Sequence, residues 1–207
     1  MLISLLFDSP ALFIAYLVAI ILSLSFHEYA HGYVAFRQGD STATNAGRLT
    51  LNPLAHLDVF GLLCLVLIGF GWGKPVPVNV NNLRNKRWGS LWVSVAGPAS
   101  NILLAIAVVI VARLVGNGLS ELVAVFFFLF VATNLVLAVF NLLPIPPLDG
   151  STVLFSLLPF RFQNIEIWLR RHGILLLLGL LLLLNFTSFN PFSGLYSLAA
   201  RLVGVST

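Results

Sequence analysis

Two histidines and a glutamate stand at metal-site spacing in the first apolar stretch of the chain. They form the pattern His27-Glu28-Tyr29-Ala30-His31, an HExxH sequence. Residues i and i+4 of a helix share one face, so the imidazoles of His27 and His31 can bind one metal ion. Glu28 is then placed to act as a base on a water molecule rather than as a ligand. The pattern therefore predicts a divalent-metal site with an adjacent base.

Two imidazoles do not complete a hydrolytic zinc site, which uses three protein ligands and keeps one position for water. Asp149 is the leading candidate, because it ends a proline-rich run after an apolar stretch and Gly150 lets the backbone turn the carboxylate back. Alternatively, Asp149 caps a helix that begins at Ser151. Residues in polar or interfacial stretches are the other candidates: His56, Asp58 and His172.

The composition places these groups in a membrane. Of the 207 residues, 59% are hydrophobic and 9% are charged, and the mean hydropathy is +1.00. Soluble domains carry about 25% charged residues. A soluble domain, a disordered chain and a collagen-like chain are therefore excluded, and the long Leu, Val and Ile runs favour helices over an outer-membrane barrel. The basic residues lie in loops between apolar runs, where they orient a membrane protein rather than bind nucleic acid.

The apolar runs also define the predicted elements. A helix needs about 20 apolar residues to cross a hydrocarbon core of about 30 Å. Residues 59–73 are apolar but short and glycine-rich, which suits a re-entrant segment, and the alternating residues 46–51 predict a short strand. We expect one all-α polytopic membrane domain over residues 1–207, with a re-entrant, partly β insertion at about 44–80. The predicted membrane helices are residues 10–36, 89–115, 121–143 and 173–189.

The direction of the predicted helices tests whether Asp149 can join the histidines. His27 and His31 lie near the C-terminal end of the first helix, and Asp149 lies just beyond the C-terminal end of residues 121–143. These ends meet only if the two helices run in the same direction. The helices at 89–115 and 121–143 supply the two crossings required, so residues 59–73 must not cross. The metal hypothesis and the short segment therefore agree.

The distribution of basic residues orients this topology. All lysines and arginines except Arg113 and Arg201 then lie on one side of the membrane. Cytoplasmic loops collect Lys and Arg. We therefore expect a multi-pass protein of the cell membrane with its active end near the cytoplasmic face. The tail after Pro191 is too short to cross again and is compatible with a position along the interface.

Three motifs in order make the chain resemble the site-2 protease family, the intramembrane zinc metalloproteases. They are the HExxH sequence, the GPxxN sequence Gly97-Pro98-Ala99-Ser100-Asn101, and residues 141–150, which are similar to NxxPxxxxDG. Residues 52–58 and 74–79 look like the small prokaryotic branch. The resemblance covers most of residues 20–150, and we expect no PDZ or CBS domain.

The resemblance implies a three-helix catalytic core made of residues 10–36, 89–115 and 121–143, followed by a C-terminal transmembrane helix. It implies His27, His31 and Asp149 as ligands of Zn²⁺ and Glu28 as the catalytic base. Asn101 would support the core or contact substrate, and Asn141 would help to hold the substrate or the oxyanion.

The expected activity is hydrolysis of a peptide bond in or beside a transmembrane helix of a membrane-protein substrate. Such a substrate must be locally unwound, and residues 46–51 or 74–80 could hold it by strand addition. The expected partners are this substrate and the lipid bilayer; a homo-oligomer is compatible with the sequence. The alternative function is a small transporter or channel that uses His27, Glu28 and His31 for metal or proton passage.

Overall fold

Four helical segments in the described part of the chain are long and apolar enough to cross a membrane. The computed structural model describes residues 2–187 and 190–205. The candidate spans are Pro10–Arg37, Lys86–Val115, Glu121–Asn141 and Phe160–Leu184. The chain is therefore helical with the spans of a multi-pass membrane protein, as predicted. Its helices are α1 (Leu2–Asp8), α2 (Pro10–Arg37), α3 (Thr42–Asn45), α4 (Val59–Ile68), α5 (Lys86–Val115), α6 (Glu121–Asn141), α7 (Asp149–Leu157), α8 (Gln163–Phe186) and α9 (Ser193–Val203).

The fourth long helix begins earlier than predicted. The apolar run predicts a start at residue 173, after the charged residues, whereas α8 begins at Gln163. Glu166 and Arg170 lie one helical turn apart and form an ion pair with a nitrogen–oxygen distance of 2.9 Å. This ion pair lets charged residues lie inside the helix, so the apolar run alone marks the start of the helix too late. Residues 188 and 189 of the predicted span lie outside the described residues.

Helices α2, α5 and α6 pack against one another and form the centre of the molecule. Alanines such as Ala19, Ala105 and Ala132 are buried between them, and small residues let membrane helices approach closely. A short turn joins α5 to α6, and Gly116 in that turn has φ +59°, a conformation that glycine adopts without strain. The two helices therefore run in opposite directions.

Residues 38–84 leave and return at the same end of this bundle. Arg84 N donates a hydrogen bond to Gln38 O over 2.9 Å, which ties the start of α5 to the end of α2. Within this insertion α4 has only 10 residues, and its C-cap residue Gly69 has φ +86°, in the left-handed region where a helix ends. A 10-residue helix is about 15 Å long, half of a hydrocarbon core.

The predicted strand at residues 46–51 is wrong, and the insertion contains no strand among its residues, all of which are described. Arg48 N donates to Ala43 O over 2.8 Å and so closes the turn after α3. Thr50 O accepts from His56 Nε2 over 2.7 Å. Turn and side-chain contacts therefore occupy backbone groups that a strand would have paired, although the apolar and polar residues alternate.

The C-terminal helix α9 packs against α5 and α6, and its position along the membrane interface stays a prediction. Ala199 and Val203 are buried in one cluster with alanines of α5 and α6. The Arg113 guanidinium donates to Leu202 O and to Arg201 O, over 2.8 and 2.7 Å, and so satisfies carbonyls at the end of α9.

Candidate metal centre and active site

Three side chains from two distant parts of the sequence meet at one point. His27 and His31 lie one turn apart on α2, are 4% and 8% exposed, and their Nε2 atoms are 3.0 Å apart. Asp149 Oδ2 lies 3.2 Å from each of these nitrogens. Among the described residues, this is the one group of three or more His, Cys, Asp or Glu side chains close enough to hold a metal ion. The structure therefore brings together the three ligands expected from the sequence.

The turn between α6 and α7 aims Asp149 at the histidines. Helix α6 ends at Asn141, and α7 begins at Asp149 itself. A Cβ at Gly150 would lie 2.6 Å from Leu143 O, so only glycine permits the turn to fold back this tightly. Leu148, not Asp149, is the N-cap residue of α7, and the Asp149 carboxylate faces the imidazoles. The alternative reading of Asp149 as a helix cap is therefore wrong.

The hydrogen bonds behind the two imidazoles determine which nitrogen faces the metal position. His31 Nδ1 lies 2.7 Å from Val93 O, and His27 Nδ1 lies 2.6 Å from Asn101 Oδ1. Both partners are acceptors, so this network assigns the proton of each neutral ring to Nδ1. Each Nε2 then carries a lone pair. Such partners on the far ring nitrogen are usual for metal-binding histidines.

The converging atoms fit a cation. Two Nε2 lone pairs and one carboxylate oxygen lie 3.0 to 3.2 Å apart. No hydrogen lies between them in the assigned tautomers, and Asp149 Oδ2 is buried without a hydrogen-bond donor. Three electron-rich atoms at these distances repel one another unless a positive charge lies between them. Two imidazoles and one carboxylate, with a cavity in front of them, are a donor set that zinc hydrolases use.

Gly97 of α5 forms the wall behind the metal position. A Cβ at this residue would lie 2.6 Å from His27 Nε2 and 2.6 Å from His27 Cε1, and closer still to His31 Nε2. Side-chain atoms do not approach so closely, so the α5 backbone can pack against the imidazoles only because residue 97 is glycine. This contact gives the glycine of the GPxxN sequence a physical role.

Glu28 is held by the insertion between α2 and α5. Its Oε2 accepts a hydrogen bond from Val76 N over 2.7 Å. The Arg48 guanidinium donates to Lys74 O over 2.8 Å and to Pro75 O over 3.2 Å, which holds residues 74–76 against the site. One oxygen of the Glu28 carboxylate is thus fixed by a backbone N–H, and the other is left for chemistry.

Asp40, just beyond α2, anchors the far end of the same segment. The side chain is fully buried, and Oδ2 accepts from Asn79 N over 2.7 Å. Oδ1 accepts from Thr42 N and Asn82 Nδ2, over 3.1 and 3.0 Å, and from the Thr42 hydroxyl. Burial alone would raise the pKa of Asp40, but these hydrogen bonds from Thr42, Asn82 and Asn79 lower it below its usual value. The ionised carboxylate therefore fixes the path of residues 76–79.

Residues 74–80 already use three of their five N–H groups within the protein. Lys74 N donates to His56 O, Val76 N to Glu28 and Asn79 N to Asp40, while the two prolines have no N–H group. Among these residues, all described, the N–H groups of Val78 and Val80 have no partner within the protein. The pairing of an extended substrate with this segment stays a prediction.

A cavity of about 1010 Å³ opens in front of the metal position. His27, Glu28, His31 and Asp149 contribute to its wall, and most of the remaining wall is apolar. Helices α4, α6 and α8 supply that apolar wall through residues such as Leu65, Phe140 and Leu177. These four polar residues therefore face a space that suits an apolar chain.

The two asparagines expected at the site have different environments. Asn141 contributes to the wall of the cavity, and its Nδ2 donates to Leu137 O over 3.0 Å. Asn101 is fully buried behind His27, where its Oδ1 accepts from the imidazole. Asn101 therefore supports the site and has no surface for a substrate, which corrects the expected substrate contact.

The remaining ligand candidates have other partners. His56 is 1% exposed and bonded to Thr50 O, and Asp58 caps α4 by accepting from Gly61 N over 2.7 Å. His172 stacks on Trp168 with ring centroids 4.8 Å apart. Asn134 and Val76 were not predicted from the sequence as part of this site. A polar residue inside an apolar span was the available signal for Asn134, whereas nothing in the sequence marks the backbone N–H of Val76.

Comparison with known proteins agrees with this site. Residues 116–180 match Peptidase family M50. The chain is 44% identical over 158 residues, 72% of each chain, to a Bacillus subtilis protein named zinc metalloprotease YwhC. It is 34% identical over 179 residues, 82% of this chain and 67% of the other, to a Mycolicibacterium smegmatis protein named zinc metalloprotease Rip2. No solved structure matches the chain at a significant level.

One assignment follows from the metal-ligand geometry, the membrane-length helices and the extended similarity to two proteins named metalloproteases. The chain belongs to peptidase family M50, the site-2 protease family, whose members are zinc-dependent.

Proposed function

We propose that this protein is an intramembrane zinc endopeptidase that hydrolyses peptide bonds in or next to transmembrane helices of other membrane proteins. The observation that carries the proposal is the convergence of three ligand atoms, 3.0 to 3.2 Å apart, beside a glutamate and an apolar cavity. A soluble protease would not place these groups on membrane-length helices.

In this proposal His27, His31 and Asp149 hold the zinc ion, which supplies Lewis acidity toward water and toward a peptide carbonyl. Glu28 moves the proton. Because Val76 N–H fixes Oε2, the free Oε1 is the atom that takes up the proton of the attacking water and returns it to the leaving amine. Asn141, in the cavity wall, has a second N–H that can donate to the developing oxyanion.

The substrate class follows from the cavity. Its apolar wall, formed in part by α4, α6 and α8, suits a stretch of transmembrane chain rather than a charged soluble peptide. The scissile carbonyl of a helix is hydrogen-bonded within that helix, so the substrate must unwind locally before it is cut.

The proposed orientation places the catalytic end of the bundle near the cytoplasmic face of the cell membrane. Both ends of residues 38–84 lie at that end, so we treat α4 as a re-entrant helix that enters the bilayer and returns. Most of the basic residues lie at the same end, in the insertion or on the helices that begin or end there, which supports a cytoplasmic position for this end.

The test is cleavage of a reporter transmembrane helix by the purified full-length protein in detergent and in liposomes. We expect a chelator to abolish cleavage, zinc to restore it, and Glu28→Gln to abolish it while zinc still binds. Glu121→Gln is the matched control, because Glu121 is an exposed glutamate at the start of α6, at the other end of the bundle. Normal cleavage by Glu28→Gln would refute the role of Glu28. Metal exchange across the liposome membrane without proteolysis would favour the transporter alternative instead.

A further inference from the structure

A fully buried polar network lies behind His27, where α2, α5 and α6 meet. Ser23, Asn101 and Asn134 are each 0% exposed. Asn101 Nδ2 donates to Asn134 Oδ1 over 2.8 Å and to Ser23 O over 3.3 Å. Asn134 Nδ2 donates to Ser23 Oγ over 2.8 Å and to Phe130 O over 2.9 Å. Polar groups in the middle of three apolar helices call for an explanation beyond packing.

Backbone carbonyls set the direction of every hydrogen bond in this network. Phe130 O and Ser23 O can only accept, so the nitrogen of each asparagine amide must face them. Ser23 Oγ donates to Ala19 O over 2.7 Å, which leaves its lone pair to accept from Asn134. Asn134 Oδ1 then has one partner, Asn101 Nδ2. As a result, Asn101 Oδ1 must face His27.

We infer that Asn134 and Ser23 are positioning residues of the metal centre. By fixing the orientation of the Asn101 amide, they select the tautomer of His27 with the proton on Nδ1 and the lone pair on Nε2. A reversed Asn101 amide would direct an N–H at His27 Nδ1 and so favour a proton on Nε2, which cannot then bind a metal. It would also place two amide oxygens against each other at Asn134.

His31 needs no such arrangement, which explains why the network lies behind His27 alone. Its Nδ1 donates to Val93 O, a backbone carbonyl with a single possible role. An asparagine amide can be reversed by rotation about its side chain, so the Asn101 contact requires further groups that define its orientation. Asn134 and Ser23 are those groups.

The matched pair Ser23→Ala and Ser25→Ala tests the inference, together with Asn134→Leu. Both serines are almost fully buried on α2 and donate to the carbonyl four residues earlier, but Ser23 alone accepts from Asn134. The measurements are the zinc Kd of each full-length protein, by competition with a chromophoric chelator, and the imidazole nitrogen shifts of the metal-free protein at a pH high enough that both imidazoles of the site are neutral. The chain has 4 histidines, so the His27 signal can be assigned by its loss in His27→Ala.

We expect Asn134→Leu to weaken zinc binding by about 10- to 100-fold, the usual range for a lost outer partner of a metal ligand. We expect Ser23→Ala to weaken it by about 3- to 10-fold relative to Ser25→Ala, since one network position is lost. The His27 signal should show protonated Nδ1 in wild type and in Ser25→Ala, and a mixture of tautomers in Asn134→Leu. If Asn134→Leu does not fold, the two serine variants decide alone.

The inference rests on the proposed zinc site, and the outcomes separate the two. A wild-type protein that binds no zinc would overturn both. If wild type binds zinc, equal zinc Kd values for Ser23→Ala and Ser25→Ala, or an unchanged His27 signal in a folded Asn134→Leu, would overturn the positioning role and leave the zinc site intact.

Discussion

Replacing Gly97 with alanine should remove metal binding from a protein that otherwise keeps its fold. The added Cβ would lie 2.6 Å from His27 Nε2, whereas ordinary contacts begin at 3.4 Å, so α5 or the imidazole must move by about 0.8 Å. Zinc–ligand distances tolerate changes of about 0.2 Å. We therefore expect the zinc Kd to rise at least a hundredfold, which corresponds to about 2.7 kcal/mol. The Gly97 variant should lose cleavage of the reporter helix to the same degree.

The helix propensity of alanine provides the contrast that makes this test specific. Alanine in place of a helical glycine stabilises a helix by about 0.5–1 kcal/mol when there is room for the methyl group. Gly179 of α8 has such room, because no atom lies within 4 Å of a Cβ built there. Gly179→Ala should therefore keep zinc binding and activity. A zinc Kd of Gly97→Ala within threefold of the wild-type value would refute the close approach of α5 to the histidines.

Three further predictions concern the ligand from α7 and the insertion. Asp149→Ala should abolish stoichiometric zinc binding measured by metal analysis, while Asp58→Asn should retain it. Full retention of zinc by Asp149→Ala would make Asp58 or His56 the candidate third ligand instead. Arg48→Met should release Lys74 O and Pro75 O and lower kcat about tenfold, or about 1.4 kcal/mol in the barrier, with an unchanged zinc Kd; an unchanged kcat would contradict a role for the insertion in holding Glu28. Because the folded-state pKa of Asp40 is lowered, its contribution to stability is present above its unfolded pKa of about 3.9 and is lost as the pH falls through the lower folded value. The melting temperature of wild type should therefore fall more steeply than that of Asp40→Asn over this acid range, and parallel curves would contradict the assignment.

The part of the site that repeats along a helix could be predicted from the sequence. His27 and His31 follow from a spacing of four residues, and Asp149 could join them at the same end of the bundle provided that residues 59–73 did not cross the membrane. These inferences need only helix geometry and the number of crossings. The three ligand atoms do meet in the structure, within 3.2 Å of one another.

The parts that depend on irregular backbone could not be predicted. Residues 46–51 alternate like a strand, yet Arg48 N donates to Ala43 O and Thr50 O accepts from the His56 side chain, so neither group is available to a strand partner. The hydrogen bond from Val76 N to Glu28 joins residues 48 positions apart through a backbone group that every non-proline residue has. Asn134 was visible as a polar residue in an apolar helix, but its partner Asn101 lies on another helix, and no spacing rule relates the two.

The distribution of the site over the fold suggests why polar groups, rather than apolar packing alone, join these helices. Apolar side chains gain little when membrane helices associate, because lipid is equally apolar. Here α2 provides both imidazoles, α5 provides Gly97 and the acceptors for the two Nδ1 protons, and α7 provides Asp149. The Nδ1 atoms of both histidines reach their acceptors only when α2 and α5 are in register, and Asp149 Oδ2 faces the two Nε2 atoms without a hydrogen-bond partner of its own. If zinc binds here as proposed, zinc binding and correct helix packing are linked equilibria, and the metal adds to the stability of the bundle as well as to its chemistry.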